Sequence, residues 1–137
     1  MTVGPLERVS IREPHAESRV REYLAGQGYT LTPRAALRGG DIVAEREGRR
    51  LLVEVKADRP GHITSSATIY VEACTLLGQI VLRMGQNLAD DYAIAIRPVH
   101  TRLISPTVSV LARLSVKVLL VENDGSVREL MADSGAR

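Results

Sequence analysis

Residues 39 to 58, GGDIVAEREGRRLLVEVKAD, constrain this chain more than any other stretch. Two alternating apolar runs flank Glu47-Gly48, the pattern of a β-hairpin. A two-residue loop at that turn sets Asp41 directly opposite Glu54, whereas a bulged three-residue loop shifts the register by one. Directly paired side chains have Cβ atoms about 4.5–5.5 Å apart. Lys56 shares the face of Glu54 because strand side chains alternate. The other face carries Ile42, Ala44, Leu51, Val53 and Val55, a coherent core surface. The hairpin therefore has one ordinary face and one that concentrates two carboxylates and an amine.

Two facing carboxylates repel unless a positive charge sits between them. A hard divalent cation meets that need, since Mg²⁺ takes one or two carboxylates together with water and phosphate oxygens. The carbonyl of Val55, between Glu54 and Lys56, is a further candidate oxygen ligand. Lys56 would then stand beside the metal and a phosphate oxygen, where an ammonium orients water or offsets growing negative charge. These parts suit metal-assisted phosphodiester hydrolysis. The plain alternative is a charged, half-exposed hairpin face with no chemistry.

Bulk properties set the frame. The chain of 137 residues fits one domain, residues 1 to 137. Sixteen arginines stand against two lysines, Lys56 and Lys117, and net charge is only +2, so nucleic acid is permitted as a partner without being demanded. Arginine keeps its proton at any working pH, whereas the pKa of a lysine responds to its surroundings, which singles out Lys56. Phe and Trp are absent and Cys74 is the only cysteine, which excludes a disulfide framework and a zinc cluster. No apolar run looks long enough to span a bilayer, so a cytoplasmic protein without a membrane partner is expected.

Along the chain, Pro14 suits a first helical turn, and residues 15 to 27 read as a helix stopped by Gly26 and Gly28. Val20, Tyr23 and Leu24 form its inward stripe, and Glu17 falls on or beside that buried face. A short strand at 29–32, the hairpin, and a polar loop at 58–68 follow. A helix is expected over about 69–88, with Ala73, Leu77, Ile80, Val81, Met84 and Leu88 inward and Glu72, Leu76, Gln79 and Arg83 as a neighbouring stripe. Cys74 is expected in the core. Strands at 91–96, 116–121 and 127–130 surround a helix opening at Ser105-Pro106 and running to about Leu114. His15 and His100 are expected at the surface. The order α-β-β-β-α-β-α-β-β implies a mixed sheet flanked by helices.

At these residues the chain resembles the PD-(D/E)XK nuclease superfamily, the restriction-endonuclease-like fold. The matching elements are Gly40-Asp41, twelve intervening residues and Glu54-Val55-Lys56, with Glu17 on the first helix and Gln79 in LLGQIVLR on the helix after the motif strand. The αβββαβ core of that family maps onto residues 15 to 96, leaving a C-terminal αββ extension. Gly40 replaces the proline of the motif name, and Arg83 stands where some relatives have tyrosine. The resemblance implies a Mg²⁺-dependent DNA endonuclease, with Mn²⁺ as a possible substitute. Asp41, Glu54, the Val55 carbonyl and Glu17 would hold the metal, Lys56 would be the catalytic lysine, and Gln79 would position water, Lys56 or the scissile phosphate.

Around this set, Arg38, Arg59, His62 and Arg83 are candidate phosphate contacts, and Arg12, Arg19, Arg21 and Arg34 could extend a basic rim. Family analogy implies a homodimer, with the apolar stretch 100–120 as one possible interface, and a protein partner remains open. The rival expectation is a non-catalytic nucleic-acid-binding or complex-forming module of the same fold. On the nuclease reading, Glu54→Ala or Lys56→Ala abolishes cleavage with little change in melting temperature.

Overall fold

The computed structural model describes residues 13–34, 37, 41–56 and 65–132. Arg12, Arg38, Arg59, His62, Gly39 and Gly40 lie outside the described residues. Helix α1 spans Glu13–Gly26 and is followed by strand β1, Thr30–Leu31. The hairpin follows as β2, Ile42–Arg46, and β3, Arg49–Val55. Helix α2 covers Ser66–Gly85 and leads to β4, Asp91–Ile96. Short 3₁₀ turns then alternate with α3, Thr101–Ile104, and α4, Val108–Arg113. Strands β5, Val116–Val121, and β6, Val127–Leu130, close the fold.

The six strands lie in sequential order in one sheet. Strands β3, β4 and β5 are mutually parallel, and β1, β2 and β6 join antiparallel. Parallel neighbours need crossover connections, which α2 and the α3–α4 segment supply. Both crossovers move the same way across the sheet, so a common hand puts them on the same face. Helix α1 covers the other. Ala16, Val20 and Leu24 of α1 pack on Ile42, Ala44, Leu51, Val53 and Val55. On the reverse face Leu76 and Ile80 meet Leu52, Ile94 and Ile96. This is the mixed, helix-flanked α/β sheet expected, with the αβββαβ order of the restriction-endonuclease-like fold.

The hairpin register is the one set by a two-residue loop: Ile42 pairs with Val53 and Arg46 with Arg49. Glu47 and Gly48 take φ of 53° and 79°. Positive φ at both central residues matches the right-handed twist of the flanking strands.

Several expectations are corrected. Helix α2 begins three residues before the expected Ile69, because the Ser65 side chain accepts from the Thr68 N–H and caps it. The helix is also rotated about its axis. Glu72, Ala73, Leu76 and Ile80 are buried, while Val81, expected inside, is exposed, as is Cys74. Polar partners on the sheet side, described below, turn the charged stripe inward. His100, expected at the surface, is buried, whereas His15 is exposed. The stretch 100–120 puts Ile104, Val108, Leu111, Val116, Val118, Leu119 and Leu120 in the protein's own core and leaves Leu103, Val110 and Leu114 exposed. At 20 residues and with few charges, α2 is long and apolar enough to cross a membrane, contrary to the expectation of no such run.

Candidate active site

The carboxyl end of β3 organises the site. Parallel pairing commits one edge of this strand to β4, and the Lys56 N–H donates to the Ala95 carbonyl at 2.9 Å. On the other edge, Asp41 stands just before β2. Its N–H donates to the Val53 carbonyl at 3.2 Å, and its Oδ2 accepts the Val55 N–H at 2.6 Å. One carboxylate is thereby fixed against the residue that separates Glu54 from Lys56. Crevices at the carboxyl ends of parallel strands are recurrent ligand sites in open α/β sheets.

The surrounding charges come from both sheet faces. From the α1 side, Glu17 reaches this end buried at 5 % exposure and pairs with Arg34. From the α2 side, Arg83 Nε donates to Glu54 Oε2 at 3.0 Å, with Glu54 at 4 % exposure. Asp41 feels Glu17, Arg34 and Arg83. Burial, foremost, and the nearby Glu17 raise its pKa, while the Val55 N–H, Arg34 and Arg83 pull it down. The net shift is upward, so the ionised form of Asp41 is held at a cost.

Lys56 is half-buried and makes no side-chain hydrogen bond or ion pair among the described residues. Gln79 is exposed on α2, one turn before Arg83. Asp41, Glu54, Val55, Lys56 and Glu17 thus share one end of the sheet, and Gln79 and Arg83 flank it on one helix. Arg38, Arg59 and His62 fall outside the described residues. Arg21, one of the candidate rim arginines, donates to the Thr32 carbonyl instead.

The donors suit a hard cation. They are carboxylate and carbonyl oxygens, and Asp41 among them is a partly buried carboxyl whose pKa is raised chiefly by burial. In the present arrangement two arginines supply the positive charge. Among the described residues no three His, Cys, Asp or Glu side chains are gathered as a cation cage.

A second polar cluster lies along the same end of the sheet and was missed in the sequence. Arg97 follows β4, fully buried, and donates to the Val121 carbonyl at 2.5 Å and to Asn123 Oδ1 at 2.8 Å. Its backbone N–H points at His100 Nδ1, 3.2 Å away, which makes that nitrogen the acceptor. The proton then sits on Nε2, which faces Glu72 Oε1 at 3.1 Å. The signal available was Glu72 and Arg83 sharing one helical stripe. Two charges on one stripe ask for two buried partners, here His100 and Glu54.

No family model matches the sequence, and neither does any curated protein. Two solved structures share the fold. One is an XisH family protein from Nostoc punctiforme, with a TM-score of 0.58 and 21 % identity over 85 % of this chain and 98 % of that one. The other is a fdxN element excision controlling factor protein from Anabaena variabilis, with a TM-score of 0.59 and 21 % identity over 84 % and 96 %. At that identity the likeness is one of fold.

Proposed function

We propose that the chain is a Mg²⁺-dependent endonuclease that hydrolyses phosphodiester bonds of DNA. The supporting observation is the 2.6 Å contact between Asp41 Oδ2 and the Val55 N–H, which fixes one carboxylate on the backbone of the residue that separates Glu54 from Lys56. Asp41, Glu54 and the Val55 carbonyl are the candidate ligands, with Glu17 reaching the ion directly or through water. A bound Mg²⁺ would supply charge to a phosphate oxygen and acidify water. Lys56 holds positive charge beside the phosphate and orients the attacking water. Gln79 positions water, Lys56 or phosphate from the α2 side, and Arg83 is the cation that α2 offers to a substrate phosphate. One fold neighbour is a fdxN element excision controlling factor protein, in keeping with DNA as substrate and with a role in recombination, mobile-element, repair or defence processes. A domain of this size has little room for base readout, which favours recognition of DNA structure or guidance by a protein partner.

Supercoiled, linear, single-stranded and branched DNA, each incubated with and without Mg²⁺ or Mn²⁺, test the reading. Cleavage is expected only with metal, and Lys56→Met or Asp41→Asn abolishes it. Metal-dependent cleavage that survives both substitutions would assign the chemistry to other residues.

The rival is a non-catalytic module of the same fold. The pairing of Glu54 with Arg83 and of Glu17 with Arg34 favours it, since neither pair needs a metal. Metal titration separates the two: the nuclease binds Mg²⁺ and Asp41→Asn weakens binding, whereas the module shows none.

A further inference from the structure

Helix α2 turns a continuous uncharged face to solvent. Ala67, Tyr70, Val71, Cys74, Thr75, Gly78, Val81, Leu82 and Gly85 are all exposed on it, Tyr70 at 60 % and Leu82 at 68 %. The only charged residues of the helix, Glu72 and Arg83, point the other way, into His100 and Glu54. The exposed positions 67, 71, 74, 78, 81 and 85 recur at alternating spacings of four and three, the seam of a helix that packs on another helix. At these exposures Tyr70, Val71, Val81 and Leu82 present roughly 400 Å², about half of what one partner contributes to a standard interface. The small residues between them and the flanking backbone lie in the same footprint.

Gly78 sits at the middle of that face. A glycine inside a helix costs stability relative to alanine. Nothing among the described residues calls for it: its φ is not positive, and a Cβ there would meet none of their atoms within 4 Å. A close approach from outside accounts for it.

We infer that this face is a homodimer interface in which α2 of a second copy crosses antiparallel at Gly78. Residue size decides the occupant and its direction. In the antiparallel crossing Val71 meets Gly85, Cys74 meets Leu82, and Thr75 meets Val81, so these three large side chains each lie on a smaller one, while Tyr70 meets Gln86 just past the helix end. A parallel crossing sets Tyr70 on Tyr70 and Leu82 on Leu82 and leaves the small positions facing one another. The absence of charge removes any like-charge repulsion between copies. A lipid surface fits less well, because helices that lie on membranes carry Lys and Arg along their flanks and this one has none there. Gln79 lies about 100° around the helix from Gly78. The two-fold axis of an antiparallel pair carries that flank to the same side in both copies, so both sheet ends open together.

Light scattering across a micromolar concentration series should give twice the 14.9 kDa chain mass. Leu82→Glu should return a monomer with a native circular-dichroism spectrum, since the side chain is 68 % exposed. Leu82→Cys should form an intermolecular disulfide with the second copy's Cys74 under mild oxidant, and Cys74→Ser in that background should abolish it. A chain that stays monomeric at every concentration, or a dimer that survives Leu82→Glu, overturns the inference. So does a Leu82→Cys dimer that never cross-links, or a monomer that floats with phosphatidylglycerol vesicles only while Leu82 is intact.

Discussion

Replacing Arg83 with methionine keeps the aliphatic bulk of the side chain and removes its charge from Glu54. The pair is 3.0 Å apart, with side-chain exposures of 28 % and 5 %. At an effective dielectric of about 20 the gross attraction at this distance is about 5–6 kcal/mol. Desolvation of both ions takes back most of it, and removal of one partner from a buried pair typically costs about 3–5 kcal/mol. Glu54 has other polar contacts and Arg83 is partly solvated, so the expected loss is about 2–3 kcal/mol. For a chain of this length that lowers the melting temperature by roughly 6–12 °C. The assay is a thermal melt of wild type, Arg83→Met, Glu54→Gln and the double variant. A coupling energy above about 1.5 kcal/mol is expected, because the neutral pair no longer buries a lone charge. The same melts with Mg²⁺ probe the site itself. A cation that binds between Asp41 and Glu54 takes over the task of the lost guanidinium, so added Mg²⁺ should raise the melting temperature of Arg83→Met more than that of wild type. An Arg83→Met protein that melts within a degree of wild type would refute the electrostatic reasoning.

Asp41→Asn keeps an acceptor for the Val55 N–H and removes a charge whose pKa burial has raised. The folded protein holds that proton more tightly than the unfolded chain, so wild-type stability falls as pH rises through the raised pKa. Asp41→Asn should therefore match wild type in acid and melt higher near pH 7, and a lower melting temperature there would contradict it. Lys56→Met should leave the melting temperature within about 1 °C, since Lys56 has no ion pair among the described residues, while abolishing metal-dependent cleavage in a plasmid-nicking assay. Glu54→Ala, by contrast, should shift the melting temperature measurably, because it strips the carboxylate from a part-buried Arg83; the expectation of a nearly unchanged melt holds for Lys56 alone. His100→Leu withdraws an acceptor from the Arg97 N–H and a donor from Glu72, and should cost about 2–4 kcal/mol in denaturant titration.

The sheet was legible because its determinants are local. Glu47-Gly48 narrows the hairpin to two registers, of which the two-residue loop is the observed one, and alternation then assigns the residues of β2 and β3 to their faces. The same local logic recovered β4, β5 and β6 with their observed boundaries. The rotation of α2 was not local. Counting apolar residues favours burying Val81, and the long-range partners of Glu72 and Arg83 tip the helix the other way. Neither Glu54 nor His100 is near them in sequence. His100 was hidden for the same reason: its burial depends on an Arg97 that follows β4 and on a Glu72 from another element. Cys74 and Val81 were placed inside by hydrophobicity, and the fold has them outside because that stripe of the helix is free for something else.

A coherent picture follows from where the costs fall. Asp41 holds its charge against an unfavourable environment, Glu17 and Glu54 each engage an arginine, and Lys56 stands beside them with no ion pair among the described residues. A scaffold gains little from this arrangement, since apolar residues of similar volume often stabilise as well as a buried ion pair does. The unequal treatment of the cations is the informative part. Arg83 and Arg34 pair with Glu54 and Glu17, whereas Lys56 makes no side-chain ion pair among the described residues. On the proposed reading, an anion brought to the end of β3 meets an ammonium with no ion pair among the described residues, and a divalent cation would take the place of the arginines on the two carboxylates. On that argument the site is held by its own counter-ions until metal and phosphate arrive together. Mg²⁺ affinity should then increase when a short duplex DNA is present, and an affinity indifferent to DNA would separate metal binding from substrate binding.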